Sequence, residues 1–168
     1  MEVLSYIPAF SQGIADLIVP IQRDEFGIDI SYEDQPDLKD IPGFYQNGIG
    51  NFWVALDDGQ VVGSIALKDI GNNQAALRKM FVAPSHRGSD KGVALELLQT
   101  LLGHARMAGV KEIFLGTTAE FLAAHRFYEK HGFDMIEPED LPSAFPRMVV
   151  DTRFYRMSIS YGIDIGKC

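Results

Sequence analysis

The chain of 168 residues carries 15 Lys and Arg against 23 Asp and Glu, a formal net charge of −8, and 46% of its residues are hydrophobic. This length predicts one domain over residues 1–168 with a sizeable core, and the composition argues against disorder. The acidity argues against a partner that is nucleic acid, and the lone Cys168 excludes an intrachain disulfide framework and a cysteine-based zinc site. No apolar run reaches the ~20 residues that span a bilayer, and no secretory signal is visible, so we expect a cytoplasmic protein outside the membrane.

Hydrophobic spacing predicts the elements of the first half of the chain. They are a strand at 3–7, a helix at 12–26, a short helix around 38–45, and strands at 52–56, 61–67 and 75–82. The last three are separated by turns that contain Gly59 and Gly71, which accept a positive φ. We therefore expect a three-stranded antiparallel meander.

The second half alternates helices and strands. We expect a helix at 93–108, a strand at 112–116, a helix at 120–131, and strands at 133–136 and 152–161. A meander followed by a β-α-β unit predicts an α/β (mixed α+β) fold whose sheet is mixed and centrally antiparallel, with helices on both faces.

The segment 79–94 is a strand that runs through a polar, glycine-containing loop into an amphipathic helix. The first turn of a helix has unpaired N–H groups and a partial positive charge, so this geometry suits a phosphate or pyrophosphate. Gly88 and Gly92 would let the ligand approach the backbone, and Arg87 and Lys91 supply positive charge. The alternative is that Ser89 or Asp90 is an ordinary N-cap.

A second informative segment lies at 123–133. Ala124 and Tyr128 are four residues apart on one helix face, so the small residue leaves room beside the phenol. The alternative is that Tyr128 merely straddles core and solvent.

Together the two segments resemble the GNAT superfamily of acyl-CoA-dependent N-acetyltransferases. The end of the family signature Q/R-x-x-G-x-G/A is matched by Gly92, Val93 and Ala94, after a Phe-Val-x-Pro-x-x-Arg-Gly stretch at 81–88. The family pattern A-x-x-x-Y-x-x-x-G-F is matched by Ala124, Tyr128, Gly132 and Phe133.

The resemblance implies an acetyl-CoA cosubstrate, no metal, and direct transfer of the acetyl group to a small amine or a peptide amine. Backbone groups of Met80, Phe81 and Val82 would bind the pantetheine arm, and Tyr128 would protonate the departing thiolate. The pyrophosphate would be held by Arg87, Gly88, Ser89, Asp90, Lys91, Gly92, Val93 and Ala94.

Three departures from the family pattern bear on activity. The loop is longer at 89–91, Phe121 stands where many members have Asn, and the strand residues 77–80 include no carboxylate. Glu25, Glu33, Asp34 or a water chain could serve as the general base. A catalytically weak acyl-CoA sensor and an interaction domain are therefore the alternative functions.

The acceptor site carries no motif. Residues 78–111 have a net charge of +4 and residues 24–40 have −6, which suits anionic CoA at one end and a cationic amine at the other, unless 24–40 is a solvated loop. Phe44, Phe52 and Trp53 could line an acceptor pocket or belong to the core. The four histidines have no metal-ligand spacing, and the late strand could pair across a homodimer.

Overall fold

The computed structural model describes residues 1–119 and 121–159. In these residues the strands are β1 (Glu2–Ser5), β2 (Asn51–Asp57), β3 (Gln60–Gly71), β4 (Gln74–Val82), β5 (Glu112–Thr117), β6 (Asp134–Ile136) and β7 (Arg153–Ser158). The α-helices are α1 (Ser11–Pro20), α2 (Pro36–Lys39), α3 (Ile41–Phe44), α4 (Val93–Ala108) and α5 (Leu122–Lys130).

The seven strands form one sheet in the order β1-β2-β3-β4-β5-β7-β6, in which β4 and β5 run parallel and all other neighbours are antiparallel. One face packs against α4 and α5 around Leu97 and Tyr128, and the opposite face packs against α1, α2 and α3 around Ile18 and Leu38. The mixed, centrally antiparallel sheet with helices on both faces is thus confirmed.

The predicted helix 12–26 has two parts, α1 and a π-helical turn at Ile21–Glu25. Pro20 ends α1 and has no backbone N–H, so it cannot donate the next α-helical bond. Beyond it the N–H of Phe26 donates to the carbonyl of Ile21 at 3.1 Å, five residues back, which is the π pattern.

Two other predicted elements differ in their bounds. The short helix 38–45 is divided into α2 and α3 at Asp40, whose carboxylate accepts from the N–H of Gly43 at 3.1 Å. The late strand is β7 at Arg153–Ser158. Residues 160 and 161 of that prediction, Glu120 of the predicted helix 120–131, and Cys168 lie outside the described residues.

A gap opens between β4 and β5. Their pairing covers three residue pairs and ends at Ala76 and Phe114, although β4 continues to Val82 and β5 to Thr117. Beside the gap, β4 bulges at Lys79, which has a φ of +53°, and its register with β3 shifts there. The hydroxyl of Ser64 donates to the Lys79 carbonyl at 2.7 Å and so fixes the bulge.

Candidate active site at the gap between β4 and β5

The gap exposes one edge of β4 to a ligand. Beyond Ala76, no strand pairs with the β5-facing edge of β4 within residues 1–119 and 121–159. Met80, Phe81 and Val82 are half-buried along this edge. An extended chain can bind such an edge through backbone hydrogen bonds, as an added strand does.

The N-terminus of α4 lies beyond the end of β4 and has no side-chain cap. Gly92 is the N-cap residue, with a φ of +71°, so the N-cap interpretation of Ser89 or Asp90 is wrong. A Cβ on Gly92 would meet nothing within 4 Å. The N–H groups of the first turn, which includes Val93 and Ala94, are therefore available to an anion.

The loop before α4 is exposed from Arg87 to Lys91 and folds on itself. The N–H of Lys91 donates to the Gly88 carbonyl at 3.1 Å. Gly88 has a φ of +108°, which a side chain would strain, and the position of its absent Cβ is 2.7 Å from the carboxylate of Asp90. The longer loop thus closes through a hydrogen bond of its own backbone.

Arg87 links this loop to the π-helical turn. Its guanidinium donates to both carboxylate oxygens of Glu25, at 2.6 and 2.9 Å, and to the Val82 carbonyl at 2.9 Å. These bonds hold the pKa of Glu25 below its usual value. Glu25 is consequently a poor general base while the pair is formed.

The other two acidic residues expected as bases are also engaged. Glu33 forms an exposed ion pair with Lys39 at 3.0 Å. Asp34 accepts from the N–H and hydroxyl of Ser31 at 3.0 and 2.9 Å, and these hydrogen bonds lower its pKa. Both carboxylates are thus engaged in contacts within their own segment of the chain.

A buried polar network that the sequence did not indicate joins α2 to the bulge of β4. The ammonium of Lys79 lies 3.3 Å from the carboxylate of Asp37 and donates to the side chain of Gln35 at 2.9 Å. Asp37 also accepts from the Tyr45 hydroxyl at 2.6 Å, and Gln35 exchanges hydrogen bonds with Gln22. Burial lowers the pKa of Lys79. Since Lys79 and Asp37 are 42 positions apart in the chain, no local pattern could have revealed their contact.

Tyr128 is buried in the core below the gap, which excludes the interpretation that it straddles core and solvent. Its ring lies 5.6 to 6.2 Å from the rings of Phe127, Phe133 and Tyr155, and the half-buried Ala124 packs against the same core. In the part of the chain that is described, its hydroxyl has no hydrogen-bond partner. Burial raises the pKa of Tyr128, so the phenol is protonated at neutral pH.

The end of β5 presents a second unpartnered hydroxyl. Oγ1 of Thr118 is buried without a hydrogen bond to any described residue. The Thr118 carbonyl lies 2.7 Å from Nε2 of His125, whose Nδ1 lies 3.0 Å from the guanidinium of Arg153. Because an arginine can only donate, Nδ1 accepts and His125 is the neutral tautomer with its proton on Nε2.

The aromatic residues near the gap divide between core and surface. Phe52 and Trp53 are buried on opposite faces of the sheet and belong to the core, while Phe44 is half-buried with the Lys68 ammonium 4.0 Å from its ring centre. Phe121 packs on Phe26 at 4.1 Å between ring centres. This apolar contact involves the position at which many family members have a polar Asn.

The described residues show neither a cluster of metal ligands nor a helix that could cross a membrane. They contain no group of three or more His, Cys, Asp or Glu side chains placed to hold a metal ion. No helix in the described part has both the length and the apolar character needed to cross a membrane.

Comparison with known proteins links this geometry to one family. The acetyltransferase (GNAT) family model matches residues 15–133. The N-acetylaspartate synthetase of Xenopus tropicalis is 37% identical over an alignment of 131 residues that covers 71% of this chain and 47% of that protein. The chain thus spans about half the length of the curated relatives it matches.

Solved structures give the same result. A GNAT-family acetyltransferase from Staphylococcus aureus Mu50 has a TM-score of 0.89 at 36% identity, covering 95% of this chain and 99% of that one. N-acetylglutamate synthase from Neisseria gonorrhoeae, solved with coenzyme A and N-acetyl-glutamate, shares the fold at a TM-score of 0.72 and 18% identity, over 95% of this chain and 35% of that one. Because the family model covers well over half of the sequence, the chain belongs to the acetyltransferase (GNAT) family, as the loop and helix motifs predicted.

Proposed function

We propose that this chain transfers an acetyl group from acetyl-CoA directly to a primary amine. The observation that carries the proposal is the gap beside β4, with an uncapped helix N-terminus beyond one end of β4 and the unpartnered Tyr128 hydroxyl below it. Membership of the acetyltransferase (GNAT) family supports it. The structure of the gonococcal enzyme with coenzyme A gives a precedent for the cosubstrate on this fold.

The chain offers donors of the kinds that acetyl-CoA requires. In our proposal the backbone of Met80, Phe81 and Val82 pairs with the amides of the pantetheine arm. The pyrophosphate binds the loop and the first turn of α4, from Arg87 to Ala94. Arg87 then exchanges part of its contact with Glu25 for a phosphate oxygen, which an exposed ion pair permits at little cost.

Two groups would act on the reacting atoms. A backbone N–H of β4 near the bulge would stabilise the negative charge on the thioester oxygen during attack. Tyr128 would protonate the CoA thiolate as the carbon–sulfur bond breaks, and Ala124 would leave room for the sulfur. The raised pKa of Tyr128 suits this role, because the proton is present at neutral pH.

The proposed acceptor is an amine on a small molecule or on a peptide. The name of the Xenopus relative, N-acetylaspartate synthetase, places amino acids in the panel to be tested. The cytoplasmic location and the homodimer expected from the sequence stay predictions.

Binding and turnover should be measured separately. We expect acetyl-CoA to raise the unfolding temperature of the purified chain, and at least one amine in a panel of amino acids, their decarboxylated amines, polyamines and free peptides to release CoA thiol. Binding without release from any amine would favour the acyl-CoA sensor. Neither binding nor release would overturn the proposal and leave an interaction domain.

A further inference from the structure

A carboxylate lies on β5 where the gap opens. Gly116 is two residues beyond Phe114, the last β5 residue paired with β4, and Oδ2 of Asp151 lies 2.5 Å from the position of the absent Gly116 Cβ. Glycine at this position therefore makes the space that the carboxylate occupies. Asp151 Oδ2 also accepts from the Met148 N–H at 3.2 Å, and the Thr152 N–H donates to the Thr117 carbonyl at 3.0 Å, which ties the turn to β5.

Asp151 and Tyr128 flank the end of β5 from opposite faces. Leu115 is buried in the core that contains Tyr128 and Tyr155. Successive side chains of a strand point to opposite faces, so the space above Gly116 lies on the other face, with α1, α2 and α3. The gap runs between the two groups.

Asp151 lacks the partners that occupy the other acidic residues near the site. Within the described residues it has no cation within 4.0 Å, and its Oδ1 accepts no hydrogen bond, whereas Glu25, Glu33 and Asp37 are each ion-paired. Partial burial raises its pKa, while the Met148 N–H and the more distant charges of Arg78 on β4 and Arg147 oppose the rise. It is thus half-buried, accessible at Oδ1, and more basic than an ordinary aspartate.

We propose that Asp151 is the general base of the acetyl transfer, and this inference rests on the proposed function. Oδ1 of Asp151 takes one proton from the acceptor ammonium, and the freed lone pair forms the carbon–nitrogen bond as the carbon–sulfur bond breaks. The thiolate takes the Tyr128 proton, the second nitrogen proton restores Tyr128, and Asp151 releases its proton to solvent. The products are the amide, CoA thiol and one proton.

The test uses the intact chain, acetyl-CoA and the amine with the highest rate in the panel above. Asp151→Asn keeps the turn contact to Met148 and should lower kcat/KM by about 10²- to 10⁴-fold with unchanged acetyl-CoA binding. Its residual rate should rise about tenfold per pH unit below the pKa of the amine, because only the neutral amine then reacts. A purely structural residue would not change this slope.

Asp140→Asn is the matched control. Asp140 accepts from the N–H three residues before it at 3.3 Å, as Asp151 does, but it is exposed on another turn. It should keep wild-type kinetics, and so should Asp34→Asn. Activity of Asp151→Asn within about threefold of wild type, or a loss equal at every pH, would overturn the assignment.

Gly116→Ala provides a second test if Asp151→Asn does not fold. Its Cβ displaces the carboxylate without removing it, so a loss of kcat/KM like that of Asp151→Asn is expected; a folded, fully active Gly116→Ala would refute the role of Asp151. Failure of the wild-type chain to release CoA with any amine would instead refute the proposed function, before any variant is compared.

Discussion

The role of Tyr128 in packing can be separated from its role in catalysis by a substitution that removes only the hydroxyl oxygen. The ring is buried among aromatic residues, whereas the hydroxyl has no partner in the described residues. Tyr128→Phe keeps the ring contacts, so we expect an unchanged unfolding temperature and a kcat lowered by about 10²-fold or more. Thermal unfolding and steady-state rates measure the two effects.

Tyr155 provides the matched control for this prediction. Its hydroxyl donates to Glu129 at 2.6 Å, so Tyr155→Phe should lower the free energy of unfolding by about 1 kcal/mol and leave kcat nearly unchanged. An equal loss of rate in both variants would mean that the position of α5, and not a proton from Tyr128, limits turnover.

Asp151 is expected to reduce stability at neutral pH. Burial raises the pKa of Asp151 above its ordinary value of 3.8. At a pH between the ordinary pKa and the raised pKa, the folded chain binds more protons than the unfolded chain, so stability falls as the pH rises through that window. Asp151→Asn should therefore be more stable than wild type at pH 8, with a smaller difference at pH 5. Denaturant unfolding at both pH values checks this, and a less stable variant at pH 8 would contradict it.

At the scale of elements, the ion pair of Lys79 and Asp37 fastens α2 to the bulge of β4. Both side chains are buried, with 10% and 8% of their surface exposed. Removing one partner leaves a buried charge, so Asp37→Asn or Lys79→Met should each cost about 3–5 kcal/mol of unfolding free energy. The double variant should cost clearly less than the sum. Denaturant unfolding of the four proteins measures the coupling, and additive losses would show that there is none.

The contact of the π-helical turn with the loop before α4 gives a paired prediction on CoA binding. Arg87→Ala and Glu25→Gln both break the same ion pair, but only Arg87→Ala removes a cation from the loop. We expect Arg87→Ala to weaken CoA by about 1 kcal/mol, roughly fivefold, and Glu25→Gln to bind as tightly as wild type or more so. Titration calorimetry distinguishes them, and equal weakening would assign the effect to the pair itself.

The elements that could be predicted are those whose side chains repeat with a period. The meander, α4 and β5 follow from alternating or helical spacing, and the loop and α5 motifs indicated the loop before α4 and Tyr128 as site residues. The gap between β4 and β5 was not predicted. The positive φ of Lys79, the contact of Lys79 with Asp37, and the placement of Asp151 over Gly116 depend on how distant segments meet. Asp151 follows an irregular proline-containing connection, so no periodic signal pointed to it.

For the whole molecule, the sheet has two parts joined by few backbone contacts. Strands β1–β4 form one part and β5, β7 and β6 the other, and three residue pairs connect them. A ligand in the gap would add contacts to both parts. We expect acetyl-CoA to slow amide hydrogen exchange most at 78–82 and 115–117, and to stabilise the fold by about 2.7 kcal/mol at 100 times its Kd. Exchange that slows only around 87–94 would contradict binding along β4.

The positions of the ion pairs limit what the negative charge of residues 24–40 implies about the acceptor. Of the acidic residues in 24–40, Glu25, Glu33 and Asp37 are ion-paired, two of them with cations of β4 and the loop that follows it. The negative field of this segment is therefore weaker than its formal charge. Its ion-paired carboxylates hold α2 and the π-helical turn against β4 and the loop that follows it. The negative charge of this segment therefore does not by itself select a cationic acceptor.

The π-helical turn at Ile21–Glu25 determines how the chain would respond to the deletion of one residue. A π turn holds about one residue more than the α turn it replaces, so deleting one residue here would let α1 continue as an α-helix. Side chains beyond the deletion would keep their direction, because the shorter α turn would end where the longer π turn now ends, and Glu25 would still meet Arg87. The loss of a single codon here would therefore leave the contact of the arginine with Glu25, and with it the loop before α4, in place.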